Sequence, residues 1–216
     1  MRLAKVLRNA HKKVRQMKTF NSMLSGLLGA RGFTDVPPEI AEFHLRDAAI
    51  DLCQKSHVWR QEVLIDVQSG VADYPIELAD EGVVVAAVDV FMHGHRVQFG
   101  GNTTCHYNGS NFSVVNNNTL VVPSAKEDEL QGLKLTVACK PSRDACGIAD
   151  VLYEDWADVI ADGAAARCAA MSKQSWSSAA MVGMYARQYA VGVTRAKNQR
   201  VMKRGTAPLM MKGSYF

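Results

Sequence analysis

The side chains most able to do chemistry in this chain fall into two groups, and each has a bland reading beside the functional one. Three histidines, His93, His95 and His106, lie near one another in sequence. Two of them straddle a Gly-containing turn, but no acidic or cysteine companion stands at ligand spacing, so a metal centre is not expected. The second group is an acidic row, Glu154, Asp155, Asp158 and Asp162, at helical spacing. Such a row could bind a cation or supply an acid and base pair, yet it also suits a solvated helix face with carboxylates near the positive end of the dipole. The sequence has no nucleophile elbow, no phosphate-cradling loop and no dinucleotide fingerprint. Neither catalysis nor a cofactor is expected.

Five cysteines, Cys53, Cys105, Cys139, Cys146 and Cys168, are scattered and form no Cys-x-x-Cys pair. Buried thiols are the expected state. His44, with apolar neighbours in a helical stretch, reads as a packed or edge residue rather than a pH sensor. Trp59, Trp156 and Trp176 read as core and rim. No run of the sequence approaches the length of apolar chain that crosses a bilayer, and the first segment lacks the apolar stretch of a secretory signal.

The elements that must position these groups follow from periodicity. Arg2 to Lys18 can form a basic amphipathic helix, and Ser25 to Gly32 reads as a hinge, so residues 1–34 are expected to be a basic N-terminal arm. Pro37 and Pro38 mark a helix start. Ala41, Leu45, Ala48 and Leu52 then share one helical face, while Ile40, Phe43 and Ile50 form a second apolar strip. From Trp59 the period shifts to two, with Val63, Ile65 and Val67 alternating. Further strands are expected at 76–78, 83–92, 96–99, 112–115, 119–122 and 133–137, joined by turns at His93-Gly94 and Asn116–Asn118. Leu152, Trp156, Val159, Ile160, Gly163 and Ala170 form a buried stripe. After a break at 173–178, Met181, Tyr185, Tyr189, Gly192 and Ala196 form another, so the two helices should pack antiparallel.

The fold class expected is α+β: a helical bundle with an inserted small antiparallel β-sandwich or barrel, plus extended N- and C-terminal arms. The divisions are 1–34 for the basic arm, 35–58 for the first bundle helix, 59–147 for the β-module, 148–204 for two bundle helices and 205–216 for a C-terminal arm.

Charge is distributed unevenly. Residues 1–34 carry eight Lys or Arg and no acid, residues 163–216 carry nine and no acid, and 35–162 carry eight basic and twenty-one acidic residues, 8 − 21 = −13. Basic ends on an acidic body predict an acidic partner surface or nucleic acid. Leu209, Met210, Met211, Tyr215 and Phe216 are apolar anchors without a period. Arg200, Lys203, Arg204 and Lys212 add steering charge.

The stretch from Pro37 to Cys53, with Val58-Trp59-Arg60, resembles the first helix and strand of head-to-tail adaptor proteins of tailed bacteriophages, of the podovirus-like tail tubular type. Trp156 to Arg167, Trp176, Met184 to Tyr189 and Ala196-Lys197 are similar to its later helices. The resemblance covers about 37–204 and leaves 1–34 aside. It implies a structural virion protein made in the host cytoplasm and located at the head-tail junction, where a ring of about twelve copies joins the portal protein to the tail or nozzle protein. Double-stranded DNA would pass through the channel. In such a protein the C-terminal residues named above would dock on the portal, and Glu154, Asp155, Asp158 and Asp162 are candidates to line the channel. The alternative is a nucleic-acid-binding protein that grips phosphates with its basic terminal segments.

Overall fold

The structure, a computed structural model, describes residues 17–68, 70–92, 95–99, 104–107, 110–115, 119–121 and 129–204. It is a mixed α+β fold. The chain begins with a short strand, β1 (Lys18–Thr19), and a helical turn, α1 (Phe20–Met23), that continues through a π-helical turn at Leu24–Leu28 and a 3-10 turn at Gly29–Arg31. β1 pairs antiparallel with β10 (Gly147–Ile148). Gly147 is required there, because a Cβ on it would meet the Lys18 backbone carbonyl.

This opening differs from the hinge expected at 25–32. Phe20, Met23, Leu28 and Phe33 are all buried in the core. Burying each such side chain is worth roughly 1.5–3 kcal/mol, and together they fasten the segment to the bundle. Gly32 adopts the left-handed conformation (φ 85°) and closes the 3-10 turn, with its N–H donating to the Gly29 carbonyl (3.0 Å). The glycines here serve a compact turn. Residues 17–34 therefore belong to the folded body, while residues 1–16 of the expected arm lie outside the described residues.

α2 (Pro38–Ser56) starts as its prolines predict and ends where His57 takes a left-handed conformation and its N–H caps the Cys53 carbonyl (2.9 Å). Ala41, Leu45, Ala48 and Leu52 are buried. The second strip is only half covered: Ile40 and Ile50 are partly buried, but Phe43 is 56% exposed.

Eight strands follow: β2 (Arg60–Val67), β3 (Asp73–Pro75), β4 (Gly82–Met92), β5 (His95–Phe99), β6 (Thr104–Tyr107), β7 (Ser110–Val115), β8 (Thr119–Val121) and β9 (Glu129–Pro141). They pair antiparallel in the order β2-β9-β4-β5-β6-β7-β8-β3. The strand expected at 76–78 is instead β3, three residues earlier, and β6 is additional. The turns expected at His93-Gly94 and Asn116–Asn118 lie outside the described residues. Bulges in β4 against β9, at Val84/Ala86 and Ala87/Asp89, increase local twist.

β9 carries the chain back to the bundle. Leu133, Leu135 and Val137 alternate inward, and then Ala138 and Cys139 are both buried, because α2 lies against this end of the strand. The Cys139 N–H donates to the Trp59 carbonyl (2.9 Å), its thiol neighbours Cys53, and further on Arg46 Nε donates to the Ala145 carbonyl (2.8 Å). Cys53, Cys139 and Cys168 are buried as expected, and burial pushes their thiols above the usual range, Cys168 to about 11. Cys146 is exposed, because it sits on the loop that turns into β10. The Cys105 side chain lies outside the described residues.

α3 (Asp150–Ala169) and α4 (Ala179–Arg204) complete the bundle. They are antiparallel: Gly163 faces Tyr189, Val159 faces Gly192, and the Arg195 guanidinium lies 5.3 Å from the Trp156 ring. Leu152, Trp156, Val159, Ile160 and Gly163 form the buried stripe, whereas Ala170 is exposed as the C-cap of α3. In the connection Lys173 adopts a positive φ of 64°, and Ser178 Oγ accepts from the Met181 N–H (3.4 Å) to start α4.

Candidate assembly surfaces

The charged residues of the bundle divide into those consumed within the fold and those left facing outward. The first set is built around Asp51 on α2. Its Oδ2 accepts from Lys55 Nζ (2.7 Å) and the Tyr189 hydroxyl (2.8 Å), with Arg167 Nη2 at 3.4 Å. The Tyr189 oxygen also lies 3.1 Å from the Ala48 carbonyl. Arg167 in turn pairs with Asp47 (2.8 Å), donates to the Gly163 carbonyl (2.8 Å) and stacks 5.5 Å from the Tyr189 ring. Asp47, Asp51 and Lys55 of α2, Arg167 of α3 and Tyr189 of α4 thus meet in a single network. Burial opposes ionisation of Asp51, but the hydrogen bonds from Lys55 and Tyr189 and the charges of Lys55 and Arg167 outweigh it, and the carboxyl is held below its usual range.

A depressed carboxyl pKa stabilises the fold above the unfolded value, near 4, and this contribution is lost as pH falls through the lower folded value. Asp51→Asn is therefore expected to cost about 1–3 kcal/mol at pH 7. In urea unfolding the gap between the variant and the native chain should begin to narrow only as pH falls below about 4 and close below the depressed folded value. His44, on the same helix, is half-buried. Burial and the Arg167 charge lower its pKa against the opposing pull of Asp47, so the imidazole is neutral at pH 7.

The second internal contact uses the acidic row. Arg31 Nε donates to Asp162 Oδ1 at 2.7 Å, and Arg31 Nη2 lies 3.2 Å from both the Asp158 carboxylate and its backbone carbonyl. The Asp162 side chain is only 16% exposed. Its charge is paired with Arg31 within the fold rather than turned to solvent. Asp158 is open to solvent on one side but shares Arg31. Glu154 and Asp155 are exposed as expected. Sequence reading missed Arg31 because its partners lie 127 and 131 positions away, and nothing local to it reports them.

Of the residues expected to dock on a portal, Arg200, Lys203 and Arg204 fall on the last turns of α4, with side chains outside the described residues. Leu209, Met210, Met211, Lys212, Tyr215 and Phe216 lie wholly outside them. His95 and His106 fall on β5 and β6, and His93 is outside the described residues.

Two outward faces remain. On α2, Glu39, Glu42 and Phe43 stand at i, i+3 and i+4. On α4, Met184 (46% exposed), Arg187, Val191 (64% exposed) and Arg195 line one side, which forms a shallow depression at Arg187, Val191, Thr194, Arg195 and Asn198. α4 contains no acidic residue. No helix among the described residues is long and apolar enough to cross a membrane. Comparison of the chain with known protein families and with curated proteins finds no match.

Proposed function

We propose that this chain is a structural subunit of a tailed-bacteriophage virion, an adaptor that forms a ring joining the capsid portal to the tail and leaves a channel for double-stranded DNA. The observation that carries the reading is the element order. A first bundle helix, an antiparallel β-module and two antiparallel closing helices follow one another, as in the adaptors that residues 37–204 resemble. Two further features support it. Opposed charge is left on outward helix faces, and α4 leads directly into a segment of apolar anchors with no period of its own.

In this reading the mechanism is binding without turnover. Copies of the chain contact one another around the axis. The segment 205–216 docks in a groove of the portal through Leu209, Met210, Met211, Tyr215 and Phe216, and the cations of 200–212 steer the encounter. Glu154, Asp155 and the exposed Asp158 are the members of the acidic row left to face passing DNA, where like charge prevents adhesion.

The test is co-sedimentation with the portal ring of the same genome, using the full chain and a chain ending at Gly205, at low and high salt. Binding that survives high salt and disappears on truncation is the expected result. Absence of portal binding, together with DNA binding that weakens steeply as salt rises, would replace the adaptor reading by the nucleic-acid one.

A further inference from the structure

The described surface exposes four large apolar side chains, Phe43, Leu64, Met184 and Val191, and three of them lie on the bundle. Their surroundings differ in sign. Phe43 on α2 is flanked by Glu39 and Glu42, neither of which has an ion-pair partner among the described residues. Met184 and Val191 on α4 are flanked by Arg187 and Arg195, which likewise form no ion pair there; Arg195 instead lies over the Trp156 ring. Arg46, at i+3 from Phe43, is turned onto the Ala145 carbonyl and the Phe20 ring, so two helix faces of one molecule carry an apolar centre with opposite charges at its edge. Charge of one sign around each centre opposes pairing of a face with its own copy and favours pairing with the other.

We infer that the Glu39/Glu42/Phe43 face of α2 docks on the Met184/Arg187/Val191/Arg195 face of α4 in a second copy of this chain. The contact is heterologous, so it leaves a free face at each end and propagates until rotation closes it. Phe43 fits against the depression at Val191 and Thr194, and the carboxylates meet the guanidinium groups at its edge. The inference rests on the ring-forming reading above and assigns the surfaces that would build the ring.

The test is sedimentation velocity of the full chain over a concentration series at low salt, with Glu42→Lys, Arg187→Glu, an equimolar mixture of the two, and both changes in one chain. Both sites are exposed or at the helix edge, and circular dichroism checks that each variant is folded. The native chain is expected to grow beyond dimers at low salt and to dissociate as salt rises. Each single variant should associate about tenfold more weakly or worse, because like charges are brought together. The mixture and the double variant should both recover association, since the reversed charges again oppose.

A native chain that remains monomeric throughout would overturn the inference, as would folded single variants that associate like the native chain, or growth that stops at dimers. Portal co-sedimentation of the same variants separates the two ideas. Retained portal binding with no effect on self-association leaves the adaptor reading standing and removes this interface.

Discussion

Trp156→Ala is expected to be the most damaging single substitution in the bundle, lowering stability by about 3–5 kcal/mol. Trp156 is 2% exposed at the centre of the α3 stripe and is among the largest fully buried side chains of the protein. Its removal loses the transfer free energy of the indole and leaves a cavity that the close-packed bundle fills only in part. It also takes away the surface over which Arg195 lies. Against a typical total stability of about 5–15 kcal/mol, the loss brings the chain close to the unfolding threshold. The midpoint of urea unfolding should fall sharply with an unchanged slope, whereas Arg195→Gln, which removes only the charge, should shift it by less than about 1 kcal/mol.

The second large effect comes from adding atoms. A Cβ at Gly192 would lie 2.5 and 2.6 Å from the two γ carbons of Val159 and 3.1 Å from its β carbon. Rotation of the valine cannot clear both methyls, so the helices must separate. Helix propensity alone would make Gly192→Ala stabilising by about 1 kcal/mol. The contact is expected to reverse that sign, giving a net loss of about 1–2 kcal/mol, and Gly192→Leu should cost more than 3 kcal/mol. Val159→Ala removes both γ carbons and should partly rescue Gly192→Ala. A double-mutant cycle is thus expected to give a coupling above about 1 kcal/mol, and additive losses would show that α3 and α4 do not touch there. Gly163 makes a similar close approach: its missing Cβ leaves room for the Tyr189 ring, which hydrogen bonds to Ala48 and Asp51 hold in place.

These contacts separate what periodicity can report from what it cannot. The stripes on α3 and α4, the proline start of α2 and the antiparallel return were legible because each is written within a few turns of one element. The mixed α+β class followed from the change of period at Trp59. Residues 17–33 were not legible, since their anchors Phe20, Met23, Leu28 and Phe33 are spaced by three, five and five across α, π and 3-10 turns and match no single period. Gly26, Gly29 and Gly32 then suggested a hinge.

The candidate site divides in the same way. A row of acids on α3 is a local pattern, and Glu154, Asp155 and Asp158 do lie on its exposed side. That Asp162 turns toward Arg31 depends on a neighbour in space. Phe43 failed in the opposite direction: its spacing fitted an inner strip, yet no element among the described residues covers it.

The return path of β9 also bears on whether the β-module can be exchanged. Arg46 fixes Ala145 ten residues of helix before α2 ends at Ser56, a distance of about 15 Å along the axis. The chain thus leaves the bundle at one level and is refastened at another. A graft that joined Ser56 directly to Ala145 through a two-residue turn would fall short, since an extended chain covers only about 3.3–3.6 Å per residue. Residues 139–148, although they read as the end of the sheet, would have to stay with the helices in any transplant, and the module's practical boundary falls inside β9.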